Sequence, residues 1–318
     1  MKACCIAVDL GGSQLRIAKV QQGGQIHWQR SVSTINEGQP SQVIDQIQTL
    51  VVSQPDTDIC GIAVATPGPL DTRTGTVLCI PTLAGWENVQ LTRLLEERFK
   101  LPALLENDAI SGAVGQWRFG VGKGTRDMVY LTVSTGIGGG VISNGHVIRG
   151  VRGAAGHFGH QLLYPDSTVR CSCGRMGCFE AYASGSALDA IARTLHSVGT
   201  QHERTQWNSL VGDGLASAIH LAQAAMNGHA PAQLVWRQQG VYLAQGIASI
   251  VHAFDPECIV LGGGVSKSYS CFDDSLLEEL DKRLMPAFSN VAIRQASDIE
   301  SAGLLGVASL LFEHQESV

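Results

Sequence analysis

Cys4-Cys5-Ile6-Ala7-Val8-Asp9-Leu10-Gly11-Gly12-Ser13-Gln14-Leu15-Arg16-Ile17 is the stretch on which the fold turns. The apolar run before Asp9 suits a buried strand, and Gly11-Gly12 suits a turn. Leu15 and Ile17 are then separated by Arg16, a period of two that strands have and helices lack. The reading is strand, glycine turn, strand: a β-hairpin, not a strand entering a helix. The same grammar returns at Met128-Val129-Tyr130-Leu131-Thr132-Val133, which passes through Ser134-Thr135-Gly136-Ile137-Gly138-Gly139-Gly140 into Val141-Ile142. Asn144-Gly145 supplies a type I′ turn into a further strand around Val147-Ile148. Two such units predict a duplicated architecture, with one ligand held between two related α/β domains.

Working outward, residues 41–52 place Val43, Ile44, Ile47, Leu50 and Val51 on one helical face. Residues 59–64 read as a strand that stops at Pro67-Gly68-Pro69, and 91–99 as a helix. A strand at 103–105 ends at Glu106-Asn107-Asp108, before a small-residue helix at 109–117. Residues 187–195, 215–225 and 234–253 look helical, Cys258-Ile259-Val260-Leu261 is a buried strand running into Gly262-Gly263-Gly264, and 302–312 is a final apolar helix. Alternating strands and helices predict α/β layers. The expected division is a smaller domain from 1–118 with 300–318, and a larger one from 119–299. Residues 197–208 show no clear pattern.

Composition narrows the function. Of 318 residues 44% are apolar and 16% charged, which supports a core and excludes general disorder. Glycine, at 37 residues, is nearly twice its usual share of about 7%. No Gly-X-Y period or Gly/Ser tract is present, so the excess marks tight turns or backbone brought against a ligand. Lys+Arg 22 against Asp+Glu 28 gives a net charge of −6 without a dense basic run, which argues against nucleic acid as a partner. The apolar stretch at 3–8 is too short for a signal-peptide core, and no uncharged run reaches the roughly 18 residues of a membrane span. A cytoplasmic protein with no membrane association is expected. In that reducing compartment nine cysteines do not predict a disulfide framework, and clustered ones read as metal ligands.

Three constellations carry chemistry. Asp9-Leu10-Gly11-Gly12-Ser13 can be a phosphate loop, its N–H groups aimed at oxygens and Asp9 suited to Mg²⁺ or its waters, or an ordinary hairpin turn. The second turn at 134–140 and a third at Gly262-Gly263-Gly264 favour the phosphate reading. Gly120-Val121-Gly122-Lys123-Gly124-Thr125 lacks P-loop spacing and reads as a loop, and no Rossmann G-x-G-x-x-G is present. Cys171-Ser172-Cys173-Gly174-Arg175-Met176-Gly177-Cys178 brings three thiols together, with His160 upstream as a fourth ligand for tetrahedral zinc. Reduced thiols on a loop are the plainer alternative. A closed Cys₃His sphere would be structural and would tie the His160 loop to the segment carrying Glu180. Asp108, after a strand and before a helix, is either a general base projecting into a cleft or a helix N-cap.

Taken together these motifs resemble the ROK family (repressors, open reading frames, kinases) over nearly the whole chain. The matching stretches are residues 9–13, Thr66-Pro67-Gly68-Pro69, Leu105-Glu106-Asn107-Asp108-Ala109, 133–140, Gly156-His157-Phe158-Gly159-His160, 171–180 and Leu261-Gly262-Gly263-Gly264-Val265. The resemblance implies an actin/hexokinase-like (ribonuclease H-like) α/β ATPase fold, two domains around a central cleft that closes over MgATP and a sugar, and a homodimer. It implies that Asp108 is the catalytic base for the sugar 6-hydroxyl, and that Gly68, Asn107, Asp108, His157, His160 and Glu180 contact sugar. It implies that Asp9, Gly11, Gly12, Ser13, Gln14, Ser134, Thr135, Gly136, Gly138, Gly139, Gly262, Gly263 and Gly264 hold ATP. His160, Cys171, Cys173 and Cys178 correspond to zinc ligands, and Mg²⁺ to the catalytic cation.

Two departures stand out. Ser13-Gln14 replaces the family's Thr-Lys: Ser13 keeps a hydroxyl, but the positive charge at position 14 is missing, and Arg16 is the candidate to replace it; without that replacement ATP affinity would be weak. His157 stands where most sugar kinases of the family have Glu, as in bacterial N-acetylmannosamine kinases. A neutral imidazole could pair with an acetamido carbonyl, or could pack in the loop while other residues set specificity. N-acetylmannosamine is the expected substrate. Residues 66–77 look more like the glucokinase branch, so glucose, fructose, allose and N-acetylglucosamine are the alternatives. A sugar-responsive repressor is disfavoured because the phosphate turn starts at Asp9, leaving no room for a winged-helix extension. A sugar-binding pseudokinase is the remaining reading, motivated by Gln14 and His157.

Overall fold

The computed structural model describes residues 3–35, 39–52, 58–80 and 83–316. The opening stretch forms the expected hairpin: β1 (Cys4–Leu10) pairs antiparallel with β2 (Gln14–Gln21), with Asp9 opposite Arg16 and Leu10 opposite Leu15. β3 (Gln25–Ser33) continues the meander, with Ile26, Trp28 and Val32 half-buried and Gln25, His27 and Arg30 exposed, an alternation the sequence reading did not use. α1 (Pro40–Val52) leads to β4 (Ile59–Thr66), and a small antiparallel sheet follows from β5 (Leu70–Asp71), β6 (Thr76–Cys79) and β7 (Glu87–Gln90). α2 (Leu91–Phe99), β8 (Ala103–Asn107) and α3 (Asp108–Arg118) come next.

The first five-stranded sheet has the order β3-β2-β1-β4-β8, and β1, β4 and β8 run parallel. Parallel strands present their carboxyl ends at one edge, where side chains of α/β proteins meet ligands. That edge holds Asp9, Thr66, Asn107 and the start of α3. The two faces of β1 differ in size. Ile6, Val8 and Leu10 pack with Val43, Ile44 and Ile47 of α1 and Leu91 and Leu95 of α2. Cys5 and Ala7, with Ala63 and Ala65, lie against Leu304, Val307, Ala308 and Leu311 of the C-terminal helix. Small residues on that face let the helix approach the sheet closely.

A second sheet has the order β11-β10-β9-β12-β13, formed by β9 (Met128–Val133), β10 (Ile137–Ser143), β11 (His146–Ile148), β12 (Cys258–Gly262) and β13 (Ala292–Gln295). Asn144 (φ 51°) and Gly145 (φ 76°) form the left-handed pair that a type I′ turn requires. The run 137–140 is strand, not turn: the turn is confined to 134–136, because Gly140 lies where α3 crosses and a Cβ there would press on Ala113 and Ile110. Helices α4 (Phe179–Ala183), α5 (Gly185–Thr194), α6 (Gln201–Val211), α7 (Ala218–Met226), α8 (Ala230–Phe254), α9 (Asp273–Arg283) and α10 (Ile299–Glu316) complete the chain. Most of α6 occupies the stretch that shows no clear pattern in sequence. Its start was legible after all, because Thr200 and Glu203 form a capping box.

The chain forms two compact units. One comprises Met1–Tyr130, Gly139–Gly156 and Ser297–Val318; the other comprises Leu131–Gly138 and His157–Ala296. No helix among the described residues is long and apolar enough to cross a membrane.

Within the first unit α3 and α10 pack through glycine. A Cβ on Gly306 would overlap the Ser111 carbonyl oxygen, and one on Gly115 the Ala302 carbonyl oxygen. Helix propensity alone predicts that Gly306→Ala stabilises by about 1 kcal/mol. The packing predicts the opposite sign, a loss of about 2–3 kcal/mol from overpacking. A thermal melt decides between them, and a higher Tm in the variant would refute the close-packing account.

Candidate functional site

In the first unit the glycine turn is pinned from three sides. The Gly11 amide donates to the Gln14 carbonyl at 2.9 Å, and a Cβ on Gly11 would lie 3.1 Å from that oxygen. Thr34 Oγ1 donates to the Gly11 carbonyl at 2.8 Å, while the Thr34 amide donates to the Ser13 carbonyl at 3.1 Å. Thr66 Oγ1 donates to the Leu10 carbonyl at 2.9 Å. Thr34 did not stand out in the sequence; Thr66 did only as the first residue of the Thr66-Pro67-Gly68-Pro69 stretch. Ser13 and Gln14 are exposed. Arg16 Nη1 donates to Asp9 Oδ2 at 3.1 Å, and Nη2 donates to Gln14 Oε1. A guanidinium therefore does stand at the turn beside Gln14. Burial pushes the Asp9 carboxyl above its ordinary range, and Arg16 opposes that shift.

At the end of β8 the roles of Asn107 and Asp108 separate. Asn107 is the N-cap of α3: its Oδ1 accepts from the amides of Ala109 at 3.0 Å and Ile110 at 3.2 Å. Asp108 is the first residue of the helix, and its Oδ1 accepts from the Ala109 amide at 2.8 Å. The cap is thus made by its neighbour, and the Asp108 carboxylate keeps capacity for chemistry. Its pKa is pushed up to about 6, first by burial and then by the negative charge of Asp9. A Cβ on Gly68 would stand 3.2 Å from the Leu70 amide nitrogen and 3.9 Å from Asn107 Nδ2, which brings residue 68 beside this strand end.

In the second unit the turn at 134–136 closes with the Ser134 amide donating to the Gly136 carbonyl at 2.9 Å. The start of α5 docks on it, since the Gly185 amide donates to the Ser134 carbonyl at 2.6 Å and the Ser186 amide to the Thr135 carbonyl at 3.3 Å. Glu180 Oε2 accepts from the Ile137 amide at 2.9 Å, and a Cβ on Gly136 would press against the same carboxylate. Gly263 has φ 82°, and a Cβ there would collide with the Val133 carbonyl. The turns at 134–136 and 262–264 are therefore neighbours. Gly138 and Gly139 sit in β10 beyond the turn.

His160, Cys171, Cys173 and Cys178 bring one nitrogen and three sulfurs within 4.8 Å of one another. Cys173 Sγ lies 3.7 Å from Cys178 Sγ, and Cys171 Sγ 3.7 Å from His160 Nδ1. Tetrahedral zinc with Zn–S bonds of about 2.3 Å needs S–S edges of about 3.8 Å, so the donor set fits. The loop can close this tightly because Gly174 (φ 87°) and Gly177 (φ 75°) turn left-handed, and a Cβ on Gly177 would overlap the Tyr164 carbonyl. Without a metal, burial pushes Cys178 up to about 12, whereas the Arg175 amide holds Cys173 below the ordinary thiol range. Glu180 joins this loop too, its Oε1 accepting from Ser172 Oγ at 2.6 Å and from Cys171 Sγ at 3.6 Å. His157 is exposed, its ring 6.2 Å from that of His160.

The site residues named from sequence thus form three groups. Asp9, Gly11, Gly12, Ser13, Gln14, Gly68, Asn107 and Asp108 lie in the first unit, with Gly139. The turns at 134–136 and 262–264 lie in the second, as do the metal loop with Glu180, and His157.

The family model described as the ROK family matches residues 5–314. A glucokinase from Thermotoga maritima is 32% identical over 310 residues, covering 97% of each chain. The crystal structure of a ROK family glucokinase from Streptomyces griseus with glucose and AMPPNP superposes with a TM-score of 0.83 at 30% identity, covering 97% of this chain and 99% of that one. A Listeria monocytogenes protein described as a candidate N-acetylmannosamine kinase has a TM-score of 0.79 at 24% identity, covering 98% and 99%. At that identity it shows the shared fold alone.

The raised Asp108 pKa has a stability consequence. With a folded value of about 6 above an unfolded one of about 3.9, the native state binds more protons between those pH values. Stability is lost as pH rises through that window. A carboxamide in place of this carboxylate is neutral throughout, so it escapes the cost and can still accept from the Ala109 amide. Asp108→Asn should therefore melt at a higher temperature than wild type at pH 7, with the gain fading as pH falls below about 4. An unchanged or lower Tm at pH 7 would refute the burial account.

Proposed function

Because the chain belongs to the ROK family, we propose that it transfers the γ-phosphoryl group of ATP to the 6-hydroxyl of an N-acylated hexosamine, N-acetylmannosamine before other hexoses. At the coarser level the chain is an ATP-dependent sugar kinase. The observation that carries the mechanism is Asp108: a carboxylate fixed at the first turn of α3, off the cap, with its pKa pushed up to about 6. A base of that strength is ionised at neutral pH yet takes a proton readily when the hydroxyl attacks phosphorus. In phosphoryl transfer the protein mainly positions groups and neutralises charge. Apart from the Gly11 and Ser134 amides, which bond within their own turns, the backbone of the turns at 9–14, 134–136 and 262–264 is suited to phosphate oxygens. Arg16 supplies the cation that Gln14 lacks. Asp9, a carboxylate close enough to raise the Asp108 pKa, offers the hard oxygen chemistry that Mg²⁺ or its waters take. Mg²⁺, when bound, would neutralise phosphate charge. Asn107, Gly68, His160 and Glu180 are assigned to the sugar, and zinc on His160, Cys171, Cys173 and Cys178 to holding the loop. The working form is proposed to be a cytoplasmic homodimer.

His157 supports the acylated substrate, because an exposed imidazole can donate to an acetamido carbonyl where a carboxylate cannot. A second reading, glucose, is favoured by the 32% identity to a glucokinase over almost the full length. ADP release measured over N-acetylmannosamine, N-acetylglucosamine, glucose, fructose and allose separates them. The expected order puts N-acetylmannosamine first, and His157→Glu should shift the ratio of kcat/KM values toward glucose by about tenfold, about 1.4 kcal/mol. A wild-type kcat/KM far higher for glucose would replace the first reading with the second.

Asp108→Asn should retain sugar binding and lose at least about a hundredfold in kcat. Near-wild-type turnover would remove Asp108 from its role. Metal analysis of the purified protein should find about one zinc per chain, lost in Cys173→Ser.

A further inference from the structure

Glu106 is a buried carboxylate that the mechanism above leaves unused. It is 2% exposed, at the end of β8, the edge strand of its sheet. Among the described residues β8 is paired with β4 alone, through Ala65 opposite Glu106 and Thr66 opposite Asn107. The Glu106 carboxylate adds two further restraints. Oε1 accepts from the Asn107 amide at 3.0 Å, and Oε2 accepts from Arg149 Nε at 2.9 Å. Burial raises the Glu106 pKa, while Arg149 and the Asn107 N–H lower it, so the guanidinium is what makes a charged group tolerable here. Arg149 is itself anchored: its carbonyl accepts from the Ala155 amide at 3.0 Å. That bond closes a loop in which Gly150 (φ 71°) and Gly153 (φ 79°) turn left-handed, with Gly153 against Thr72.

We propose that the Glu106–Arg149 pair is a positioning device for phosphoryl transfer, holding the peptide between residues 106 and 107 so that the Asn107 cap and the Asp108 carboxylate stay in reacting geometry. The proposal rests on the sugar-kinase reading and adds two residues that act through Asp108 instead of touching substrate. The side chain of the first residue of a helix goes where its backbone puts it. Asn107, at φ −70° and ψ 141°, sets that direction for residue 108. Displacements well below an ångström at a reacting group cost rate. The restraint acts on the end of an edge strand.

Glu106→Gln tests this with almost no change in shape. Glu106 accepts from two N–H donors, and an amide offers one accepting and one donating end. In either orientation an N–H faces an N–H. Arg149→Met removes the same bond from the more exposed side, so one variant remains informative if the other does not fold. The expected result in each folded variant is a kcat at least tenfold below wild type for N-acetylmannosamine and glucose alike, with KM for ATP within twofold. The Asn107 amide should exchange with deuterium at least tenfold faster. Arg149→Lys should recover most of the kcat, and Glu106→Gln with Arg149→Met should cost no more than the worse single change. A wild-type kcat in Glu106→Gln, additive losses in the double variant, or unchanged exchange at Asn107 would each overturn the proposal. If the wild-type protein phosphorylates no hexose, the sugar-kinase reading fails, and the exchange measurement still decides whether the pair holds the peptide.

Discussion

The parallel register of three strands is the constraint on which the first unit depends. Asp9 on β1 stands opposite Ala65 on β4, and Ala65 stands opposite Glu106 on β8. One row therefore carries two carboxylates separated by the smallest side chain that still has a Cβ. The next step along pairs Thr66 with Asn107 on the other face. A one-residue slip of β8 would exchange Glu106 for Asn107 in the row and send the start of α3 to the wrong side. The register is enforced by the size difference between faces: Ile62 and Val64 belong to the cluster on α1 and α2, whereas Ala63 and Ala65 lie under α10. Bulk on one side and its absence on the other fix which carboxylates share an edge.

Close approach is the second physical theme, and it redistributes the glycine excess. Glycine at 136 makes room for the Glu180 carboxylate and glycine at 263 for the Val133 backbone, both around a turn as composition suggested. Gly115, Gly140 and Gly306 do something else: they let α3 sit against α10 on one side and β10 on the other. Those contacts bring the helix that begins with Asp108 into the core, where burial raises the carboxyl pKa. The pKa of the carboxyl is thus partly a consequence of helix packing in the two turns that follow it.

What could be read from the sequence was local. The hairpin at 4–17, α2 with its bounds, and the cysteine loop with His160 each declare themselves in a short window, by period, turn residues or ligand spacing. β13 did not, because four residues are too few to show a period; β3 did carry one, Ile26, Trp28 and Val32 alternating with polar residues, and the reading passed over it. The partners of the site residues were illegible for another reason. Thr34 on Gly11, Thr66 on Leu10, and Arg149 on Glu106 join positions far apart in the chain. Nothing in a threonine's own neighbourhood says that its hydroxyl will hold a turn elsewhere. Arg16 was legible as a candidate because it lies on the hairpin itself, where the register puts it across from Asp9.

Glu180 shows how such a partner can join two sites at once. One oxygen accepts from the Ile137 amide at the end of the phosphate-like turn, and the other from Ser172 and Cys171 in the cysteine loop. A carboxylate has enough lone pairs for all three bonds while Cys171 is a thiol; a metal-bound Cys171 would be a thiolate with no proton to donate, leaving Ser172 as the loop's donor to Glu180. The consequence is mechanical. Disorder in the cysteine loop withdraws Ser172 and Cys171, leaving Glu180 held by the Ile137 amide alone and free to turn about its side-chain bonds. A metal on the four ligands would therefore do more than close its own loop. By ordering Ser172 it would hold the Glu180 carboxylate, which also accepts from the Ile137 amide beside the 134–136 turn. The cysteine loop and the 134–136 turn are coupled here through one side chain.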